Sequence, residues 1–326
     1  MVMLVLNEGD MKKTITYTQV MDKVEDTYRI YHSGKFFMPH RPSITHEKNT
    51  LLFMPCFMQS GFGTKFLTLF PDNPGKGLPY IDGLMLLNDA DTGKTLVILD
   101  AKYLTALRTG AVGGVGIRNF SRADCKSAGI IGAGQQGFYQ AIYASTARSL
   151  SDIYLFDTAP KDMDAYIERL KKTLPQPAPE IHVCSKVEEL LEKSDIVITA
   201  TASASPVVPD DPELLKGKCF IAIGSYKPLM RELPNAIWKL VPHVYTELPF
   251  AMEESGDLAQ PLAQGLIRKE QVKYISDWLM QEIRPLPAEG ETTYFKSVGL
   301  GLMDLNVSML IYENALKAGI GQRVEI

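Results

Sequence analysis

Ala128-Gly129-Ile130-Ile131-Gly132-Ala133-Gly134-Gln135-Gln136-Gly137 is a short apolar run that passes directly into G-x-G-x-x-G. A stretch with helical character follows, from Gln135 to Leu150. Each glycine answers a separate steric demand. Gly132 permits a tight turn, Gly134 lets backbone approach a pyrophosphate, and Gly137 lets the helix pack closely on the strand. The helix would then aim its free N–H groups at the phosphates. Spaced glycines alone are common in turns, but here a strand precedes them, a helix follows, and Asp157 ends the next strand 20 positions after Gly137. A carboxylate there accepts bonds from ribose hydroxyls and repels a 2′-phosphate, and the next residues, Thr158-Ala159-Pro160, bring no cation. The motif predicts NAD(H), with NADH preferred over NADPH, held by Gly132, Ala133, Gly134, Gln135, Gln136, Gly137 and Asp157. The competing readings are a nucleotide-free scaffold of the same type and Asp157 as a helix cap.

Outward from the motif, strands and helices alternate. Strands are predicted at Ser127–Ile131, Asp152–Asp157, Asp195–Thr201, Cys219–Gly224 and His243–Glu247. Helices are predicted at Gln135–Leu150, Pro160–Thr173 and Lys186–Lys193, with shorter ones near Pro212–Lys216 and Arg231–Leu240. That alternation implies right-handed βαβ crossovers and a parallel sheet. Further helices are predicted at Arg268–Ile283 and Val298–Ala318. The first third differs: Met1–Leu6 reads as a strand and Thr14–Gly34 as a helix. Short runs rich in β-formers follow at Thr50–Met58, Phe62–Phe70, Asp82–Asn88 and Thr95–Asp100. This part predicts an antiparallel sheet with a flanking helix. The fold class is α/β, a Rossmann-type doubly wound parallel sheet over 119–299 plus an α+β domain from 1–118 and 300–326.

The 326 residues suit two domains, and 45% hydrophobic with 22% charged residues is ordinary globular composition. A net charge of −4, with both signs mixed along the chain, gives no reason to expect nucleic acid or an anionic membrane as partner. The cysteines Cys56, Cys125, Cys184 and Cys219 are far apart, which predicts reduced thiols rather than disulfides or structural zinc. The histidines show no metal-binding spacing, so no metal site is predicted. Met1–Leu6 is too short for a membrane span and its lysines follow it, so the expectation is a cytoplasmic protein.

Three basic residues stand out in the first domain: Arg41 in Met38-Pro39-His40-Arg41-Pro42, Lys65 mid-strand in Gly63-Thr64-Lys65-Phe66, and Arg108 in Leu104-Thr105-Ala106-Leu107-Arg108-Thr109-Gly110. Each alone could be a solvated surface charge. A lysine inside an apolar β-run must snorkel or point into a cleft, where its pKa shifts and it can serve as a proton donor.

Taken in order, several segments resemble the ornithine cyclodeaminase/μ-crystallin family over nearly the whole chain. They are Gly63-Thr64-Lys65, Pro71-Asp72-Asn73, Leu104–Ala111, Ile131–Gly137, Asp195–Thr201 and Phe295-Lys296-Ser297-Val298-Gly299. The resemblance implies a homodimer whose Rossmann domain accompanies a substrate and dimerisation domain. It implies that Arg41 and Arg108 hold a substrate carboxylate while Lys65 acts beside the reacting carbon and nitrogen. It places Thr109, Thr201, Ser203, Ile223 and Gly224 at the cofactor, with Lys296, Ser297 and Val298 closing the site. Members that cyclise ornithine carry an aspartate in a Gly-x-Asp-x-Pro loop, whereas this chain has Gly224-Ser225-Tyr226-Lys227-Pro228. A phenol with a pKa near 10 does not replace a carboxylate base at neutral pH. Tyr80 likewise stands where those members carry a small hydroxyl residue, so Tyr80 and Tyr226 would reshape the substrate pocket, although core filling explains them equally well.

The expected activity is therefore NAD(H)-dependent reduction of a C=N bond beside a carboxylate, or its reverse, on a small amino, imino or oxo acid. The alternatives are ornithine cyclodeaminase and a μ-crystallin-like binding protein without catalysis. Glu253 and Asp257, one helical turn apart, could reach the cleft, but the preferred reading is a solvated helix face. Asp304 reads as an anchor for the Lys296–Gly299 segment, through a backbone group.

Overall fold

The computed structural model describes residues 2–159 and 162–325, so Met1, at the head of the first predicted strand, and Pro160, at the head of a predicted helix, lie outside it. The chain divides into two compact units, Met1–Arg108 with Gly299–Ile326, and Thr109–Val298.

Among the described residues, the first unit carries an eight-stranded sheet. Its order is Gln322–Glu325, Val2–Leu6, Thr95–Asp100, Ile81–Asn88, Gly61–Leu69, Asn49–Met58 and Phe36–Phe37, and Ser43–His46 also pairs with Asn49–Met58. The antiparallel expectation needs one correction. Val2–Leu6 runs parallel to Thr95–Asp100, so the sheet is mixed. Residues buried and half-buried alternate along Gly61–Leu69, which turns Gly61, Gly63, Lys65 and Leu67 inward. The helix Tyr17–Ser33 is fixed at both ends by local chemistry. Thr16 and Gln19 form a reciprocal capping box, and Gly34 closes it at φ 68°. Its buried face, with Val20, Met21, Val24 and Tyr28, packs on the helix Gly301–Ala318, where Asn306 Nδ2 donates to Thr27 Oγ1 at 2.9 Å.

The second unit holds an eight-stranded, wholly parallel sheet among its described residues. Its order is Glu180–Val183, Asp152–Phe156, Ser127–Ile131, Ile196–Thr199, Cys219–Ala222, Thr293–Lys296, Val244–Thr246 and Val272–Tyr274. Strand succession reverses between Ser127–Ile131 and Ile196–Thr199, the place where open parallel sheets bind ligands at their carboxyl ends. Ile196–Thr199 and Cys219–Ala222 are buried throughout, as strands covered on both faces must be.

Three predicted helices differ. Arg268–Ile283 resolves into a 3-10 turn at Lys269–Gln271, the strand Val272–Tyr274 and a short helix Ile275–Trp278. Val272, Ile275 and Leu279 fit helical spacing, but pairing with Val244–Thr246 satisfies the backbone of Val272–Tyr274 instead. Pro234 limits Arg231–Leu240 to a 3-10 turn at Asn235–Lys239. The last helix begins at Gly301 rather than Val298, after an unforeseen strand at Thr293–Lys296.

A 20-residue helix at Ala101–Phe120 also escaped notice, because Gly110, Gly113, Gly114 and Gly116 argue against one. Packing decides otherwise. A Cβ on Gly113 would sit 1.8 Å from Gln140 Oε1, and Gln140 Nε2 donates to the Thr109 carbonyl at 3.0 Å. No helix of the described residues is long and apolar enough to cross a membrane.

Candidate functional site

In the first unit, Lys65 comes from the middle of Gly61–Leu69 and is 1% exposed. Its ammonium lies 2.9 Å from Asp304 Oδ2 and donates to Thr105 Oγ1 at 3.2 Å. Arg108 Nε donates to the other oxygen of Asp304 at 3.0 Å. An Arg41 guanidinium nitrogen donates to the carbonyl of Gly299 at 2.5 Å. Gly299 is held at φ 72°, and a Cβ there would lie 2.3 Å from an Arg108 guanidinium nitrogen, so only glycine suits both its backbone and its neighbour. Arg41, Lys65 and Arg108, far apart in sequence, thus converge on one carboxylate and one carbonyl.

The electrostatics follow from that crowding. Burial pushes the Lys65 ammonium down, Asp304 opposes it, and Arg108 and Arg41 add to it, bringing the group to about 8. Burial pushes the Asp304 carboxyl up, but Lys65 and Arg108 outweigh it by charge and hydrogen bonding and hold it below the usual range. The Cys56 thiol is pushed up to about 12 by burial and by Asp304, which keeps it neutral. Asp304 therefore grips two cationic side chains, where the sequence pointed to a backbone cap. Tyr80 is half-buried beside this sheet, its carbonyl accepting from the amide of Phe70 at 2.9 Å.

In the second unit, the glycine motif forms a strand, a turn and a helix as its spacing requires. Gly132 has φ 101°, and its amide donates to the Phe156 carbonyl at 2.9 Å. A Cβ on Gly137 would fall 1.9 Å from the Gly132 carbonyl oxygen, whereas nothing lies within 4 Å of the corresponding position on Gly134. The helix Gln135–Ala147 starts at Gly134 with no side-chain cap, leaving first-turn amides for a ligand. A groove of about 600 Å³ opens there, lined by Gly132, Gly134, Asp157, Thr201 and Ser203 among others. Asp157 Oδ2 accepts from the Ala133 amide at 2.7 Å, which ties the second strand's end to the glycine turn. An uncapped helix start, a glycine with open space over it and a carboxylate at the rim together fit a dinucleotide.

The remaining residues singled out in the sequence lie deeper. Ile223 is buried, its amide donating to Thr199 at 2.9 Å, and the Gly224 amide donates to Glu232 Oε2 at 2.7 Å. Lys296 is wholly buried with its ammonium 3.3 Å from Asp257 Oδ2. Glu247 Oε2 accepts from Ser297 Oγ at 3.0 Å and from the Val298 amide at 2.6 Å. Asp257 corrects the solvated-face reading. The helix is interrupted at Ser255, between Ala251–Glu254 and Gly256–Ala263, and Glu253 is exposed whereas Asp257 is buried. Its Oδ1 there accepts from the amides of Glu232 and Leu233 at 2.8 and 3.1 Å. Tyr226 is 38% exposed with the Lys227 ammonium 5.6 Å above its ring. Elsewhere, His182 stacks on Tyr154 and lies 2.8 Å from Asp152 across neighbouring strands, with Glu180 beside them.

Residues 1–319 match the model of the ornithine cyclodeaminase/mu-crystallin family. The chain belongs to this family. Among its members, a Delta(1)-pyrroline-2-carboxylate reductase of Bacillus cereus is 30% identical over 99% of this chain and 100% of its own. The Thermococcus litoralis Delta(1)-pyrroline-2-carboxylate reductase, solved in complex with NADH and L-proline, superposes with a TM-score of 0.90. It is 32% identical, covering 99% of this chain and 100% of that one. An archaeal alanine dehydrogenase dimer with bound NAD gives a TM-score of 0.88 at 29% identity, with both chains fully covered.

Sequence reasoning about this family member missed the bond set of Glu232, the burial of Asp257 and the true partners of Asp304. For Asp304 a signal existed. The residue sits among Leu300, Val307 and Ile311 at helical spacing, and an acid on an apolar stripe needs a buried cation. Glu232, in Arg231-Glu232-Leu233-Pro234, offers no periodicity to read.

Proposed function

We propose that this chain is an NAD(H)-dependent reductase of imino acids, acting on a C=N bond beside a carboxylate and forming an L-amino acid. The observation that carries the reading is the buried Lys65, poised at about 8 beside Asp304 and two arginines. A proton donor matched to neutral pH and a cationic grip for a carboxylate are what this chemistry asks of a protein. When bound in the groove, NADH supplies a hydride. Arg41 and Arg108 hold the substrate carboxylate, Arg108 being kept in line by Asp304. Lys65 gives a proton to the imine nitrogen as the α-carbon takes the hydride and becomes tetrahedral, and solvent then reprotonates the neutral Lys65 amine. Asp157 favours NADH over NADPH, since its carboxylate at the groove rim opposes a 2′-phosphate.

The test is a panel following NADH or NADPH oxidation with pyrroline-2-carboxylate, piperideine-2-carboxylate, and pyruvate plus ammonia or methylamine. Turnover of at least one imine is expected, with NADH giving at least ten times the kcat/KM of NADPH. Proline and ammonia released from ornithine without net NADH change would replace the reading with cyclodeaminase chemistry. Silence with every imine would remove it.

A homodimer is part of the same reading. Phe37, Ile44, Phe57 and Leu84 stand exposed on the strands of the first unit, an apolar display of the kind that marks association surfaces. Sedimentation equilibrium is expected to give twice the protomer mass. A protomer mass at micromolar concentration would discard the dimer.

A further inference from the structure

Glu232 lies outside both the glycine motif and the basic cluster, is wholly buried, and yet organises three segments of the nucleotide unit. Its Oε1 accepts from the amide and the hydroxyl of Thr201, both at 2.7 Å. Its Oε2 accepts from Thr199 Oγ1 at 3.0 Å and from the amides of Gly224 and Ser225 at 2.7 and 3.2 Å. These donors stand at the carboxyl ends of the neighbouring parallel strands Ile196–Thr199 and Cys219–Ala222. The Glu232 carbonyl accepts from the Val207 amide at 2.8 Å, and both Thr201 and Val207 line the 600 Å³ groove. Its own amide is fixed by Asp257 at 2.8 Å, and Asp257 is in turn paired with Lys296.

One carboxylate thus satisfies three amides and two hydroxyls that would otherwise stay unbonded inside the protein. Burial pushes the Glu232 carboxyl up, with Asp257 adding to it, while Lys296 and the Thr201 bonds hold it down. The five donors on its two oxygens favour the ionised form, whose bonds are about twice as strong as neutral ones. Gly224 closes the arrangement. A Cβ there would lie 2.0 Å from the Thr201 carbonyl oxygen and 2.5 Å from Glu232 Oε1, so the two strand ends have no room to repack. Loops left unbonded would have to be ordered when the cofactor binds, and that ordering would be subtracted from affinity.

We propose that Glu232 is a positioning residue for the dinucleotide, holding the Thr201 and Val207 walls of the groove in binding form before the cofactor arrives. The proposal rests on the nucleotide reading of the groove. Glutamine is the sharp probe. It keeps the side chain's shape, but its amide group must confront either the Thr201 donors or those of Thr199, Gly224 and Ser225.

The experiment titrates the full-length protein with NADH, reading nicotinamide fluorescence, and records thermal unfolding in parallel. Glu232→Gln is expected to weaken NADH at least tenfold. Leu215→Ala, a buried truncation on the short helix Pro212–Leu215 of the same unit, is expected to lower the melting temperature while leaving the NADH Kd within twofold. Equal NADH affinity in wild type and Glu232→Gln overturns the proposal while leaving the groove reading intact. A wild-type chain that binds no NADH overturns the groove reading and the proposal with it. Should Glu232→Gln fail to fold, amide exchange on the unaltered protein decides. Protection of Thr201 and Gly224 before NADH is added supports a preset wall, and free exchange until NADH is added overturns it.

Discussion

Replacing Lys65 with Met is expected to lower kcat/KM for the imino acid by about 10²–10⁴-fold, the range a positioned general acid contributes. Methionine keeps an unbranched chain of similar length in the strand interior, so the change removes the ammonium more than the packing. Lys65 belongs to the first unit and the nucleotide groove to the second, so NADH affinity is expected to stay within about threefold of wild type. Steady-state kinetics with a parallel NADH titration checks both. A variant with more than a tenth of wild-type kcat/KM would show that Lys65 is not the proton donor.

Asp304→Asn is expected to act on both stability and pH dependence. Its carboxylate is wholly buried against Lys65 and Arg108, and breaking a buried pair on one side leaves uncompensated charge, a loss of roughly 3–5 kcal/mol. The sign of the pH effect follows from what each neighbour does. If Lys65 is the proton donor proposed above, reduction needs it protonated, and kcat/KM is expected to fall as pH rises through its pKa of about 8. Asp304 raises that pKa, while burial and the two arginines lower it. Removing the negative charge leaves the lowering influences unopposed, and the alkaline limb moves to lower pH. A pH profile of kcat/KM with a thermal melt checks the pair, and a limb that stays in place would dismiss Asp304 as the residue that sets the Lys65 charge.

What could be read from residues alone was mostly local. The turn from Ser127–Ile131 through Gly132, Gly134 and Gly137 is dictated by sterics within ten residues, and the structure reproduces it. Lys65 was legible because a lone cation broke the apolar alternation of its strand. Arg268–Ile283 was misread because its apolar spacing suits a helix as well as a strand joined to a short helix, and only a partner strand decides. Ala101–Phe120 was hidden because its glycines serve close packing on Gln140, Tyr143 and Phe295, which local propensity cannot report. The partners of Glu232 are contacts between distant parts of the chain that no spacing rule encodes, and for Asp304 spacing shows the need for a cation but not which cations supply it.

The first unit is discontinuous: Gly299–Ile326 supplies both the helix bearing Asp304 and the strand Gln322–Glu325 that pairs with Val2–Leu6. On a ribosome, which releases the chain in order, Thr109–Val298 emerges whole while its predecessor still lacks a helix, an outer strand and the anion for Lys65. Desolvating that ammonium without Asp304 is unfavourable, so Lys65 is not stably buried until the Asp304 helix has docked. Lys65 and the carboxylate that neutralises it thus come from distant parts of the unit's sequence, and the cation can be buried at low cost only once both are in place.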